Sequence, residues 1–174
     1  MKDARQQENS KSMGQGMIVV AMVIGLGLLT YTFQDAINKQ HNPNQNVQSS
    51  RAADNQIEVI LRQNRSGHYV TTGAINGQKA VFLLDTGATY VAIPERQANR
   101  LGLKKGRIIP ISTANGRSNG HKTHINELSI GQIRLYNVKA IITPNLEEIL
   151  LGMSVLKQLE FTQRGKELTI RQRL

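Results

Sequence analysis

At 174 residues the chain has room for one ordinary domain and one further segment, not for two large domains. It has no cysteine, which excludes disulfides, zinc–thiolate sites and thiol catalysis. Its net charge at pH 7 is +10, and residues 56–174 hold 17 basic against 8 acidic side chains, an excess of 9 spread singly along the chain. With only 4% aromatic residues to stack on bases, this pattern fits a soluble basic surface near an anionic membrane or cell envelope, and no nucleic-acid partner is expected.

Residues 1–16 are a short N-terminal tail. No charged residue lies between Lys11 and Asp35, and residues 17–33 read MIVVAMVIGLGLLTYTF. Seventeen such residues sit at the short end of what crosses a hydrocarbon core, and Thr30 to Gln34 extend into the interface, where Tyr31 is a fitting aromatic. Residues 17–34 are therefore predicted to form a single transmembrane helix; the run is uniformly apolar and lacks the stripe of a helix packed on a soluble core. A cleaved signal peptide is the competing reading. The length of the run and the lack of an A-x-A-like site after it favour an uncleaved signal anchor. Lys2, Arg5 and Lys11 precede the span while Lys39 and Arg51 follow it, a bias that sets the N-terminus in the cytoplasm and the rest of the chain outside.

Residues 35–56, DAINKQHNPNQNVQSSRAADNQ, are rich in Asn and Gln and have no periodic apolar positions, so a flexible linker is expected. From residue 57 the pattern changes to short β-rich runs, at 57–61, 68–75, 79–84, 90–93, 108–113, 123–130, 133–142 and 168–170. Asn76-Gly77, Asn115-Gly116 and Asn119-Gly120 are turn signals between them. Two short helices are predicted, over 94–101 with Pro94 at its start and Gly102 as its stop, and over 153–159 after Gly152. The series argues for an all-β barrel or sandwich over 57–174. His121 and His124 have no evident third ligand beside them, so a polar loop face is expected there and no metal or other cofactor.

One segment stands out. In AVFLLDTGATYVAIP, residues 80–94, Asp85 follows four apolar residues and is the only aspartate after Asp54. Gly87 lets the backbone turn tightly and bring an amide hydrogen to the carboxylate. Thr86 offers a hydroxyl, Ala88 is too small to crowd a pocket, and the apolar strand is a rigid mount. An Asp that merely caps a hairpin turn is the plain alternative.

VFLLDTGATYVAIP resembles the active-site segment of retropepsin-like aspartic proteases, in which Asp-Thr/Ser-Gly carries the catalytic aspartate. ILLGMSVL (149–156) resembles the family's second signature, two apolar residues and a Gly leading into a short helix, and TANG (113–116) resembles the hairpin flap that closes over substrate. NVKAIIT and QLEFTQRGKELTI are similar to membrane-anchored bacterial members with a DTGA motif. The resemblance spans residues 57–174 and implies a closed β-barrel with one or two short helices. It implies Asp85 as the catalytic residue, with Thr86, Gly87 and Ala88 as its loop. Thr113, Ala114, Asn115 and Gly116 would form the flap that binds substrate, and Leu150, Leu151 and Gly152 would support the site. It also implies a single-pass protein of a bacterial inner membrane with the protease domain in the periplasm. The chain departs from many viral relatives in having Met153 and Ser154 where they place Arg and Asn or Asp, and its flap has no aromatic tip.

Aspartic proteolysis uses two carboxylates that share a proton, one ionised and one not, because like charges so close cannot both ionise. The chain holds one Asp-Thr-Gly, and no other aspartate lies in residues 57–174. A two-lobed single-chain enzyme is thereby excluded, and the expectation is a homodimer that brings two Asp85 loops together on a two-fold axis. The function expected is that of a membrane-anchored aspartic endopeptidase acting on a peptide or protein substrate. The alternative is a non-catalytic peptide-binding or adaptor module on the same dimeric fold.

Overall fold

The computed structural model describes residues 2–52, 55–113, 116–144 and 146–174. It divides into two compact units, Met1–Lys39 and Gln40–Leu174. The first is built on helix α1 (Lys2–His41), in which the stretch Gly16–His41 is long and apolar enough to cross a membrane, with a mean hydropathy of 2.1 and nothing of its most apolar window buried in protein. Its two threonines satisfy their own hydroxyls: Thr30 donates to the Leu26 carbonyl at 2.7 Å and Thr32 to that of Leu28 at 3.0 Å. That internal bonding is what an apolar surrounding demands of a polar group.

The second unit begins at Gln40 rather than at residue 57, so the linker expected over 35–56 is corrected. Its first residues prolong α1 to His41, and Asn42 and Asn44 are buried. The cause is side-chain chemistry. The Asn44 amide donates to the carbonyls of Arg62 at 2.8 Å and Val70 at 2.7 Å, while its oxygen accepts the Arg62 N–H at 2.7 Å. Asn42 accepts the Asn44 N–H at 3.0 Å and donates to the Thr72 hydroxyl at 2.9 Å. An Asn-rich stretch reads as solvated because an amide's bonding capacity looks the same whether water or backbone meets it.

The strands of this unit are, in chain order, β1 (Ser49–Ala52), β2 (Gln56–Arg62), β3 (Val70–Ile75), β4 (Gln78–Leu84), β5 (Val91–Pro94), β6 (Ile108–Thr113), β7 (Gly116–Ile130), β8 (Ile133–Thr143), β9 (Ile149–Leu151), β10 (Glu160–Arg164) and β11 (Glu167–Arg173). One sheet has the order β1-β2-β11-β10. The other has the order β3-β4-β9-β5-β8-β7-β6, and a further pairing of β3 with β7 closes six of its strands into a ring, leaving β6 as the outer partner of β7. The closed barrel expected from the sequence is thus present. Alternation fills its core: Ile57, Val59 and Leu61 of β2 point inward, as do Leu168 and Ile170 of β11, against Phe82, Ile93 and Ile142.

Asn76 (φ 50°) and Gly77 (φ 77°) form the two-residue hairpin between β3 and β4, both in the conformation that such a turn needs. Asn119-Gly120, expected as a turn, instead lies inside β7, opposite Pro110 and Ile109. There Gly120 serves packing, since a Cβ would stand 3.3 Å from the Ile142 carbonyl oxygen and 3.4 Å from Ile111 Cδ1. The helices are shorter than expected, α2 (Glu95–Ala98) and α3 (Met153–Leu156). Single turns do not hold by themselves; burial of Ala98, Leu101, Val155 and Leu156 holds these.

β9 is the element that positions the site. It runs parallel to β4, with Leu84 opposite Leu151, and antiparallel to β5, with Ala92 opposite Leu150. It thus passes beneath residues 85–90, the loop that joins those two strands. Gly152 makes the passage possible: a Cβ there would lie 2.2 Å from the Tyr90 carbonyl oxygen and 2.6 Å from that of Ala88. Gly152→Ala is expected to lower the unit's stability by about 3 kcal/mol or more, because backbone rather than a side chain would have to move. Asn44→Ala strips three backbone groups of their partner, in one buried and two part-buried hydrogen bonds, and is expected to cost roughly 2–4 kcal/mol. Urea denaturation of the whole chain in detergent, followed by near-ultraviolet circular dichroism, measures both.

Candidate active site

β4 delivers Asp85 to the end of the barrel wall. Four successive apolar residues, of which Phe82 is fully buried, fix the strand, and the Asp85 N–H continues its ladder by donating to the Leu151 carbonyl at 3.2 Å. The chain then turns. The Gly87 N–H donates to Asp85 Oδ1 at 2.8 Å and the Ala88 N–H to the Asp85 carbonyl at 3.3 Å, a tight Asx-type turn that sets the direction of the carboxylate. Asp85 is half-buried, while Thr86 and Gly87 are exposed at the tip.

Beneath, α3 holds the loop from its own N-terminus. The Met153 N–H donates to the Ala88 carbonyl at 2.7 Å and the Ser154 N–H to that of Thr89 at 2.9 Å. The Ser154 hydroxyl accepts the Val91 N–H at 3.1 Å and donates to the Lys139 carbonyl at 2.9 Å, which ties the loop's far end and β8 together. Leu151 and Gly152 are buried under this arrangement and Leu150 is half-buried beside it. Ser154 was not legible as a brace from the sequence, where it registered only as a departure from a pattern.

A cavity of about 830 Å³ opens above the loop, with Asp85, Gly87, Ala88 and Leu150 on its floor and β6 and β7 over it through Ile109, Ile111, Gly116 and Arg117. Its walls are largely apolar; Ile141 and Leu146 contribute to them and were not singled out in the sequence. Thr86 faces the other way, into a second cavity of about 380 Å³ that Asp85 shares and that Tyr69, Leu84 and Phe161 also line. Asp85 therefore stands on a ridge between two hollows. Of the residues expected in the flap, Thr113 ends β6 and Gly116 begins β7 opposite it, whereas Ala114 and Asn115 lie outside the described residues.

The hairpin of β6 and β7 is held at its base. Gly106 and Arg107 exchange backbone hydrogen bonds with Lys122 at 2.8 and 3.0 Å, and Lys105 pairs with Glu95 at the start of α2. The Lys105 hydrogen bond holds the Glu95 carboxyl below its ordinary value of 4.5, so this tie persists into mild acid and is released only as the pH falls through that lowered value. Among the described residues, no three His, Asp or Glu side chains gather as metal donors, and the His121 ring nitrogen Nδ1 lies 3.1 Å from the Gly106 carbonyl. What the arrangement offers chemically is one carboxylate, rigidly aimed, at the mouth of an apolar cleft covered by a β-hairpin.

Over residues 71–158, half of its length, the chain matches the family described as "gag-polyprotein putative aspartyl protease". It is 36% identical over 125 residues to an uncharacterised protein encoded in the cobV 5′ region of Sinorhizobium sp, covering 68% of this chain and 54% of that one. It is 30% identical over 117 residues to an uncharacterised protein of Rickettsia prowazekii, covering 65% of this chain and 50% of that one. The chain thus spans about half the length of the curated relatives that it matches. Among solved structures, the crystal structure of a retropepsin-like aspartic protease from Rickettsia conorii superposes with a TM-score of 0.59 at 28% identity, covering 73% of this chain and 96% of that one. The family match runs from β3 through α3 and so takes in the Asp85 loop, the hairpin above it and the brace below, and by that match the chain belongs to the retropepsin-like aspartic proteases.

Proposed function

We propose that this chain is a membrane-anchored aspartic endopeptidase, active as a homodimer in which each subunit supplies Asp85. The observation that carries the reading is the placement of Asp85, fixed by the Gly87 amide at the end of a buried strand and opening into an apolar cleft large enough for a peptide. In the dimer two Asp85 carboxylates, about 3 Å apart, share one proton. The ionised one takes a proton from the water held between them as that water's oxygen attacks the scissile carbonyl carbon. The protonated one gives its proton to the carbonyl oxygen. Collapse of the resulting diol breaks the C–N bond, and the leaving nitrogen takes up a proton as the dyad resets. Thr86, Gly87 and Ala88 shape the loop, Leu150, Leu151 and Gly152 support it, and residues 113–116 close over the substrate. The apolar stretch of α1 anchors the chain, with the N-terminal basic residues on the cytoplasmic side and the catalytic unit in the periplasm.

A free strand edge lies on the Thr86 side of the loop. β10 is the last strand of its sheet and is exposed along its whole length, and Phe161 and Gln163 line the same hollow as Asp85 and Thr86. Arg164 and Glu167 close a two-residue turn, so the backbone groups of 160, 162 and 164 face β11 and those of 161 and 163 face outward. Antiparallel pairing with a second β10 about Thr162 then joins 161 to 163 in both directions and sets Glu160 opposite Arg164 on either side. Opposite charges at facing positions favour that register.

The test is hydrolysis of a peptide library by the full chain in detergent. Asp85→Asn should abolish cleavage and leave fold and dimer intact. Specific activity should fall on dilution below the dimer's dissociation constant. Cleavage that survives Asp85→Asn, or a monomer of unchanged specific activity, would falsify the reading. Thr162→Cys introduces the chain's only thiol. Facing residues at such a position have Cα atoms about 4.5 Å apart, within disulfide range, so mild oxidation should trap an active covalent dimer; a trapped species without activity would exclude this register.

A further inference from the structure

The Asp85 cleft carries one cation without a bonded partner among the described residues. Asp85 and Arg117 are the two charged side chains among the described residues that line it, in walls otherwise made largely of apolar groups such as Ile109, Ile111, Ile141 and Leu150. Arg117 lies on β7, one residue past its start and directly opposite Ser112, on the hairpin that covers the cleft. It has no ion-pair or hydrogen-bond partner among the described residues, unlike Arg96, Arg100, Arg134 and Arg171 of the same unit, each of which bonds a carbonyl or a carboxylate. Arg117 is exposed at the mouth of the cleft, where a guanidinium presents a planar fork of donors that matches a carboxylate.

We propose that Arg117 is a specificity-determining residue that selects polypeptides carrying an aspartate or glutamate side chain a few residues from an apolar scissile bond. The inference rests on the peptidase reading for its chemistry but not for its binding. Arg117 receives the acidic side chain, while the apolar walls receive the residues next to the bond to be cut. The two-fold axis repeats Arg117 on the other half of the cleft, so acidic residues are favoured on both sides of the scissile bond. The surplus of positive charge on residues 56–174, 17 basic against 8 acidic, draws the same substrates toward the surface. A basic peptide meets Arg117 as a like charge and is rejected, which adds to the discrimination.

Matched peptides with one apolar core and Glu, Gln or Lys at a single flanking position test this on the full chain in detergent. Binding is read by fluorescence anisotropy on the Asp85→Asn chain and cleavage on the native chain. The Glu peptide should bind about threefold to fivefold more tightly than the Gln peptide, the size of one exposed ion pair, with the difference in KM rather than kcat and shrinking as salt is added. Arg117→Gln should erase the preference, Arg117→Glu should turn it toward Lys, and Arg117→Lys should keep part of it. A Glu-to-Gln ratio near one in the native chain, or one that Arg117→Gln leaves unchanged, overturns the inference. Selective binding of the Glu peptide without cleavage upholds it and overturns the peptidase reading instead.

Discussion

The contact on which the rest depends is a close approach of backbone to backbone, Gly152 under the carbonyls of Ala88 and Tyr90. Among the described residues Gly87 alone donates to the Asp85 carboxylate, and that bond would not by itself hold a loop at atomic precision. The loop is rigid because its two ends leave on β4 and β5, and β9 pairs with both. Only glycine lets β9 pass close enough for the Met153 and Ser154 amides to reach the Ala88 and Thr89 carbonyls. Each such bond is worth about 1 kcal/mol net. Their importance is geometric, since together they fix the backbone of the loop that carries Asp85.

In the same region the chain departs from the viral pattern noted in its sequence. Met153 stands where many viral relatives carry an arginine, and an ion-pair network built on that residue is not available here. The Ser154 hydroxyl bridges Val91 and Lys139 by accepting from one and donating to the other. A neutral bridge of this kind is indifferent to pH, whereas an arginine–carboxylate network loses its carboxylate partners in acid.

What could be read from the sequence was local or repetitive. The Asn76-Gly77 turn, the alternating strands and the apolar run into Asp-Thr-Gly carry their geometry in adjacent residues, so the barrel and the candidate carboxylate were legible. The features missed depend on distant partners. Asn44 looks like linker until Arg62 and Val70 surround it. Gly120 looks like a turn until Ile142 and Ile111 crowd it within a strand. Arg117 is one basic residue among 22 until the fold places it on the wall of the Asp85 cleft. β1 and β10 have too few apolar residues to announce themselves, and they are strands because β2 and β11 offer them an edge.

On the proposed reading, the buried Asn42 and Asn44 also bear on how two copies would come together. Asn42 and Asn44 are pinned into the second unit's own sheets, so the chain between them and residue 57 adds no free reach. On the proposed reading, association then rests on confinement of whole chains to one bilayer, which raises effective concentration without new contacts, and on the β10 edge. Two copies, each with an excess of 9 positive charges over residues 56–174, repel one another. At physiological salt that repulsion is screened beyond about 8 Å, so the charges that decide the encounter are those at the interface. Along β10 these are one Glu and one Arg, so self-pairing adds no net repulsion there. An acidic substrate lying across both halves of the cleft would neutralise part of what remains. Substrate binding and dimer formation would then favour each other by the same electrostatic term, as linkage requires.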